Sequence, residues 1–439
     1  MVFFGGCSAI VGYGDSLNSF DKNLASGKCD YSFVDEKIKD KDDVILWASQ
    51  GGSLSRNCFD YERSNKLFDE AEKLYKIDVD LQSGAGKVGN HTSSILINNN
   101  VNEYKGNVYE KVMLNTYKGL NFMELGDFVN ARIEFNRALD RQRRAKEYFA
   151  KEIQNKKESQ SGNKNFGVSQ NRNTQKALYD NYQDIFSKLE AYPDFINPYT
   201  TYMSGLFFLF DGDYAKARDI LKTSISMDPK NQQIKDDFEL ADSLYGSISG
   251  KREKHYAWVI YENGKSMIKE ELLINLPLFI FTNKVYYAGL ALPKLYERES
   301  SYRYLTINGQ KTELIANMDS VIKAEFKKRF PTIATEAILN LIVKTYAQYE
   351  LNKSSELAGV LGMIYQIATN KTDIRSWRAL PKSFYSTRVE LKENIVIIKD
   401  DNGKVISTVD VEKDRDVLIY VKSSSRGSVK VHKIIKGKR

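Results

Sequence analysis

The chain of 439 residues is 42% hydrophobic and 12% aromatic, enough material for real cores, which excludes a chain disordered throughout. Its formal charge of +8 is mild for this length, and basic residues are interspersed with acidic ones, so the composition speaks against a nucleic-acid binder. No apolar run reaches the ~18 residues of a membrane-spanning helix, and two domains are the default expectation at this length.

The chain opens with MVFFGGCSA, which reads as the end of a hydrophobic signal followed by a cleavage site. Phe4-Gly5-Gly6-Cys7 resembles a bacterial lipobox, whose cysteine is lipidated and forms the mature N-terminus. Phe4 stands where leucine is preferred, and a longer apolar segment ahead of Val2 would complete the pattern. The other reading of Cys7 is a buried or incidental cysteine in a cytoplasmic protein. The lipobox implies an anchored protein, and Ser8 after the cysteine implies, by resemblance to lipoprotein sorting rules, the periplasmic face of the outer membrane. Cys29 and Cys58 complete a set of three cysteines, too few for a disulfide framework and without a CxxC pair. In an oxidising periplasm they form a candidate disulfide. The rest of residues 1–40 lacks sustained periodicity and reads as a tether.

Residues 41–248 carry helical periodicity. Residues 112–143 read as two amphipathic helices, with Gly119, Ala131 and Ala138 small where the helices cross. Phe122, Phe128 and Phe135 are large where they interlock. Between the helices, Gly126 suits a left-handed C-terminal position and Asp127 an N-cap. The pattern recurs over 198–231, with Gly205, Phe208, Gly212-Asp213-Tyr214, Ala217, Leu221 and Pro229; Ser224 replaces an alanine. A degraded copy spans Trp47, Gly52, Phe59-Asp60-Tyr61, Ser64, Phe68 and Ala71, with Phe59 where glycine is expected.

These offsets resemble the tetratricopeptide repeat, a unit of about 34 residues. The resemblance implies a stack that binds other chains through a concave groove lined by the first helix of each unit. Asn115, Lys118, Thr201, Tyr202 and Leu209 miss the packing positions there and are the candidate partner contacts.

Residues 81–107 form a polar, Gly-rich stretch with one extended piece near 94–97. It contains a literal GxGxxG at residues 84–89, but no helix opens after it, so it reads as a surface loop rather than a dinucleotide site. From Arg137 to Lys157 eight basic residues face three acidic ones. That is either a solvated helix face or an electrostatic contact for an acidic partner or anionic glycan. Residues 155–173 have almost no apolar side chains and read as a disordered loop, and helical period resumes over 174–189.

Near residues 246–250 the pattern changes. Short β-rich runs follow at 255–261, 272–276, 284–288 and 302–307. Helices are expected at 319–330, 332–351 with Pro331 at its first turn, and 356–369. Strands return at 388–391, 395–399, 405–411, 417–421 and 429–435, with a hairpin turn at Asp400-Asp401-Asn402-Gly403. The expected fold is therefore a mainly α N-terminal half of repeats followed by an α+β domain, 249–439, with antiparallel strands and a helical insert at about 317–370.

The phrases WVIYENG (258–264), KEELLINLP (269–277), YYAGLALPKL (286–295) and DIRSWRALP (373–381) are similar to those of a family of uncharacterised bacterial lipoproteins that joins tetratricopeptide repeats to such a C-terminal domain. The resemblance implies a scaffold for a protein partner in cell-envelope assembly and supplies no reaction.

Catalytic candidates are sparse. His91, His255 and His432 lack metal-binding spacing, and there is no GxSxG elbow, so no metal, cofactor or enzymatic role is expected. Asp373, Arg375 and Trp377 form the densest cluster. They read as a structural ion pair or, in an alternative reading, as an enzymatic or glycan-binding site in the C-terminal domain.

Overall fold

The computed structural model describes residues 13–82, 103–187, 197–247, 254–281, 284–354 and 371–435. The first helices are α1 (Tyr13–Ser26) and α2 (Ser32–Lys39). The expected tether is thus helical from Tyr13 onward. Leu17 and Phe20 share one helical face of α1, and with Val34 of α2 they are buried in the main core against Trp47. Cys29 and Cys58 form a disulfide, Cα atoms 5.8 Å apart, that ties the α1–α2 connection to the next helix pair.

Three antiparallel helix pairs follow: α3 (Val44–Asn57) with α4 (Tyr61–Gln82), α5 (Val108–Glu124) with α6 (Phe128–Ser161), and, after α7 (Phe166–Ser169), α8 (Arg172–Asp180) and α9 (Gln183–Ser187), α10 (Pro198–Asp211) with α11 (Tyr214–Met227). The pairs share one crossing. A Cβ added to Gly52 would lie 2.4 Å from the Phe68 ring, to Gly119 2.8 Å from Phe135, and to Gly205 2.8 Å from Leu221. Such distances admit only hydrogen at each glycine. Ala131, Ala138 and Ala217 are buried at the same crossings, as are Phe135 and Leu221.

The turns are alike as well. Phe59, Gly126 and Gly212 all have positive φ, at 61°, 75° and 85°. The next residue's N–H bonds back to the carbonyls of Ser55, Phe122 and Phe208 at 2.9, 2.8 and 3.0 Å, closing the Schellman ring that a left-handed residue permits. Asp60, Asp127 and Asp213 then accept the N–H groups of Arg63, Asn130 and Lys216. A phenylalanine holds the glycine conformation in the first pair because its ring stacks on His432, centroids 5.4 Å apart.

Two loop expectations need revision. Residues 155–161 continue α6, and the rest of 155–173 runs through α7 into α8, because these residues are held from outside: Gln160 donates to the Thr332 carbonyl at 2.8 Å and Gln170 to Thr335. The GxGxxG segment and the extended piece at 94–97 lie outside the described residues, as do Cys7 and the helix expected at 356–369.

α12 (Gln232–Gly246) ends the helical half. β1 (Tyr256–Asn263) then begins a mixed sheet, and β2 (Ile268–Phe281) and β3 (Lys284–Tyr296) form a long two-stranded ribbon. β4 (Thr306–Ile307), β5 (Gln310–Lys311) and β6 (Glu313–Asn317) precede α13 (Met318–Ser354), and β7 (Ser383–Glu390), β8 (Ile395–Lys399), β9 (Val405–Asp410), β10 (Val417–Ser425) and β11 (Ser428–Ile434) complete the chain. α13 is one helix through Pro331, not two. Phe326, Phe330, Ala334 and Ile338, one turn apart and all buried, hold it together across the N–H that proline lacks.

The five-stranded sheet has the order β11-β10-β1-β7-β6, and β1 pairs with β10 in parallel while its other pairings are antiparallel. Both faces of β1 are buried. Trp258 and Ile260 join the core of the helical half, together with Leu418 and Tyr420 of β10. Ala257, Val259 and Tyr261 point the other way, into a second core closed by Ile307, Val396 and Ile398 of the sheet β5-β4-β8-β9. The first of these cores runs unbroken from Leu17 to Ile434, so the helical half and the strand-rich half are packed as one body.

Candidate functional site

The five side chains expected to meet a partner are all covered: Asn115, Tyr202 and Leu209 are 0% exposed, and Lys118 and Thr201 2%. The expectation fails because the inner face of the helix pairs is already filled. Every residue of α10 is buried, and the strands that cover it belong to the same chain. Tyr202 Oη donates to Asp237 at 2.7 Å and bonds Ser386 of β7 at 2.8 Å. Asp237 also takes the Trp258 indole N–H and the Arg388 guanidinium, at 2.9 and 3.0 Å. Burial raises the Asp237 pKa against the pull of Arg388 and these donors. Thr201 accepts from Gln142 at 2.8 Å.

Asn115 and Lys118 face α4 of the preceding pair and α6 of their own rather than the groove. Lys118 Nζ lies 2.7 Å from Glu72, 2.7 Å from Asp69 and 3.0 Å from Glu134. Asn115 donates to Glu72 at 3.2 Å, and Arg141 adds a second cation there at 2.8 Å. This is a buried charge network between α4, α5 and α6 whose attraction is satisfied inside the stack.

Asp373, Arg375 and Trp377 lie in the seam between the halves. Arg375 reaches Asp43 at 2.6 Å and Asp373 at 2.9 Å, and its guanidinium lies over the rings of Tyr13 and Tyr104. Burial opposes the charge on Arg375, but Asp373 and Asp43 outweigh it and raise its pKa. Trp377 Nε1 donates to Ser53 at 2.9 Å and its backbone N–H to Glu110 at 2.9 Å. Arg375 and Trp377 are 2% exposed. The segment bolts the strand-rich half onto α3 and α5.

A further group of titratable side chains lies where the turns of the first two helix pairs meet β10 and β11. Arg56, at the end of α3, is 1% exposed. Its Nη1 donates to Asn121 at 2.7 Å, and the rings of Tyr420, Tyr117 and Tyr61 lie 5.0, 5.1 and 5.9 Å away. Its Nε and Nη2 have no hydrogen-bond partner. Tyr420 donates to Glu262 at 2.6 Å and shares a hydrogen bond with Tyr199 of α10. His432 pairs with Glu124, which is 1% exposed in its side chain.

Beside this cluster Lys422 reaches the Asn57 side chain at 3.3 Å, and Lys430 the Asn57 carbonyl at 2.7 Å. Burial, then the nearby Arg56 guanidinium, pushes the Lys422 ammonium down to about 7. Such an arrangement of cations can hold negative charge. Sequence reading missed it. The signal was present in β10, where Tyr420 and Lys422 share the inward face with Leu418, so a lysine falls at a core position of a strand.

Among the described residues no group of His, Cys, Asp and Glu is placed to hold a metal ion, and no helix is long and apolar enough to cross a membrane. No protein-family model, curated protein or solved structure matches this chain.

Proposed function

We propose that the protein is a tetratricopeptide-like scaffold of the bacterial cell envelope, held at the outer membrane through a lipid on Cys7, that binds a protein partner and does no chemistry of its own. The observation that carries the reading is the threefold recurrence of one crossing and one turn, Gly52 on Phe68, Gly119 on Phe135 and Gly205 on Leu221. Stacks of such units serve as binding surfaces. The Cys29–Cys58 disulfide supports a site of action outside the reducing cytoplasm.

Because the chain's own sheet fills the groove, the partner surface moves to the outside of the stack. There Leu125, Val129 and Ile133 follow one another along the turn and outer face of the central pair, 42%, 73% and 42% exposed. Envelope membranes cross-linked in vivo test the reading. The protein is expected in the membrane fraction, with one co-purifying partner that is lost in Val129→Glu/Ile133→Glu and retained in Leu273→Glu, a control at another exposed apolar residue. A protein found outside the membrane fraction, or capture unaffected by the double substitution, contradicts it.

A further inference from the structure

A cleft opens at the seam beside Asn57, between the disulfide-tied end of α3 and strands β1, β10 and β11. Its walls carry Lys28, Lys265, Lys422 and Lys430, and Glu262 is the one carboxylate among its lining residues. Glu262 sits opposite Lys422 in the parallel register of β1 and β10, yet its carboxylate is engaged by Tyr420 at 2.6 Å. None of the four lysines has a carboxylate within ion-pair distance among the described residues.

Capping the end of α3 explains part of this arrangement. Lys422 and Lys430 reach the Arg56 and Asn57 carbonyls, the groups a helix C-terminus leaves unsatisfied. That uses one or two of the three donors on each ammonium. It leaves unexplained why two like charges converge on one asparagine above a buried guanidinium, three cations with only Glu262 and Glu124 acting against them. It leaves Lys28 and Lys265 unexplained altogether.

We propose that this cleft binds a phosphate-class oxyanion, free phosphate or a phosphate ester. The cavity measures about 50 Å³; at roughly 10 to 15 Å³ per water position, it has room for the four oxygens of one tetrahedral anion. A phosphate monoester carries about −1.5 to −2 charges at neutral pH, which suits several ammonium groups better than a monovalent carboxylate does. Ser428, also in the wall, adds a hydroxyl donor. The site is independent of the partner surface proposed above.

Lys422 supports the assignment. The titratable and charged groups acting on it are Arg56 from α3, Glu124 from α5, Glu262 from β1 and Lys430 from β11. With its ammonium down at about 7, a bound dianion restores the charge, so binding above pH 7 takes up a proton.

The test is titration calorimetry of the full chain with inorganic phosphate, in two buffers of different ionisation enthalpy, and flotation with vesicles of phosphatidylcholine with and without phosphatidic acid, whose headgroup is a phosphate monoester. Saturable phosphate binding is expected, at least tenfold weaker in Lys422→Met and Lys430→Met, with proton uptake at pH 8. Binding to phosphatidic acid vesicles alone, lost in the same variants, supports the site with a lipid headgroup as its source. Because Lys422 and Lys430 also cap α3, Lys28→Met/Lys265→Met is measured alongside and is expected to weaken binding with the thermal midpoint unchanged. No response to phosphate or to anionic vesicles, or a response that all these variants retain, overturns the proposal.

Discussion

The ring of Tyr199 on α10 lies flat on that of Phe384 on β7, centroids 3.5 Å apart and planes 8° from parallel. Both side chains are fully buried. The pair joins an inner helix of the stacked helix pairs to the middle of the strand-rich half. The groove has an occupant, and it is covalently part of the same chain, so association carries none of the translational cost that an external ligand meets.

Truncating this contact is expected to destabilise the whole molecule. Phe384→Ala should lower the unfolding free energy by about 3 to 5 kcal/mol, the usual effect of removing a buried ring. Urea unfolding followed by far-UV circular dichroism and by tryptophan fluorescence checks it. The two signals should shift together, because helices and strands share one core.

At the helix crossings the expected damage is steric. Gly119→Val drives a side chain into the Phe135 ring, which a Cβ alone would approach to 2.8 Å, and overpacking of this kind costs about 1 to 3 kcal/mol. In Gly119→Val/Phe135→Leu the smaller neighbour gives way, and part of the thermal midpoint should return. The same pairing at Gly205 and Leu221 should behave alike.

Lys118 is expected to act on stability rather than on partner capture. Lys118→Met leaves Glu72 and Glu134 buried without their shared cation, and breaking a buried pair costs about 3 to 5 kcal/mol. Glu72 itself gives the pH dependence. Burial raises its pKa, but Lys118 and Arg141 outweigh this and bring it down to about 2 from 4.5. Its folded pKa lies below the unfolded one, so its contribution is fully present above pH 4.5 and is lost as pH falls toward 2, roughly 3 kcal/mol in all. Wild type and Glu72→Gln should therefore differ at pH 7 and converge in acid, as read from urea midpoints.

Reduction of Cys29–Cys58 opens a loop whose ends are 29 residues apart, and by loop entropy this loses about 3 to 4 kcal/mol. The thermal midpoint should fall on adding a reductant, and Cys29→Ser should show the lower midpoint with no further response. Equal midpoints with and without reductant contradict the prediction.

Much of the helical half could be read from residue spacing, because Gly119, Phe135 and Gly126 act on neighbours in their own helix pair. The turn at Phe59 was readable only by offset, since its left-handed backbone is stabilised by His432, far away in sequence. What covers a helix is not a local property. Tyr199, Tyr202 and Leu209 have the same pattern whether a partner or a distant strand lies on them, and Ser386 and Phe384 come from beyond the domain boundary expected near residues 246–250. The α1 and α2 segment was hidden for a similar reason: a few apolar residues suffice when Trp47 waits to receive them. The lysine cleft is assembled from the α1–α2 connection, β1, β10 and β11, and no stretch of sequence holds more than a fragment of it.

Hydrogen exchange of the full chain under native conditions tests the central claim, that the chain's own sheet covers the inner face of the helix pairs, most directly. Amides of Leu206 to Leu209 on α10 and of Val259 to Tyr261 on β1 are expected to open with one shared free energy, and Phe384→Ala should lower both by the same amount. Fast exchange along α10 while β1 stays protected, or a substitution that loosens one set and leaves the other unchanged, would show that the sheet does not occupy the groove.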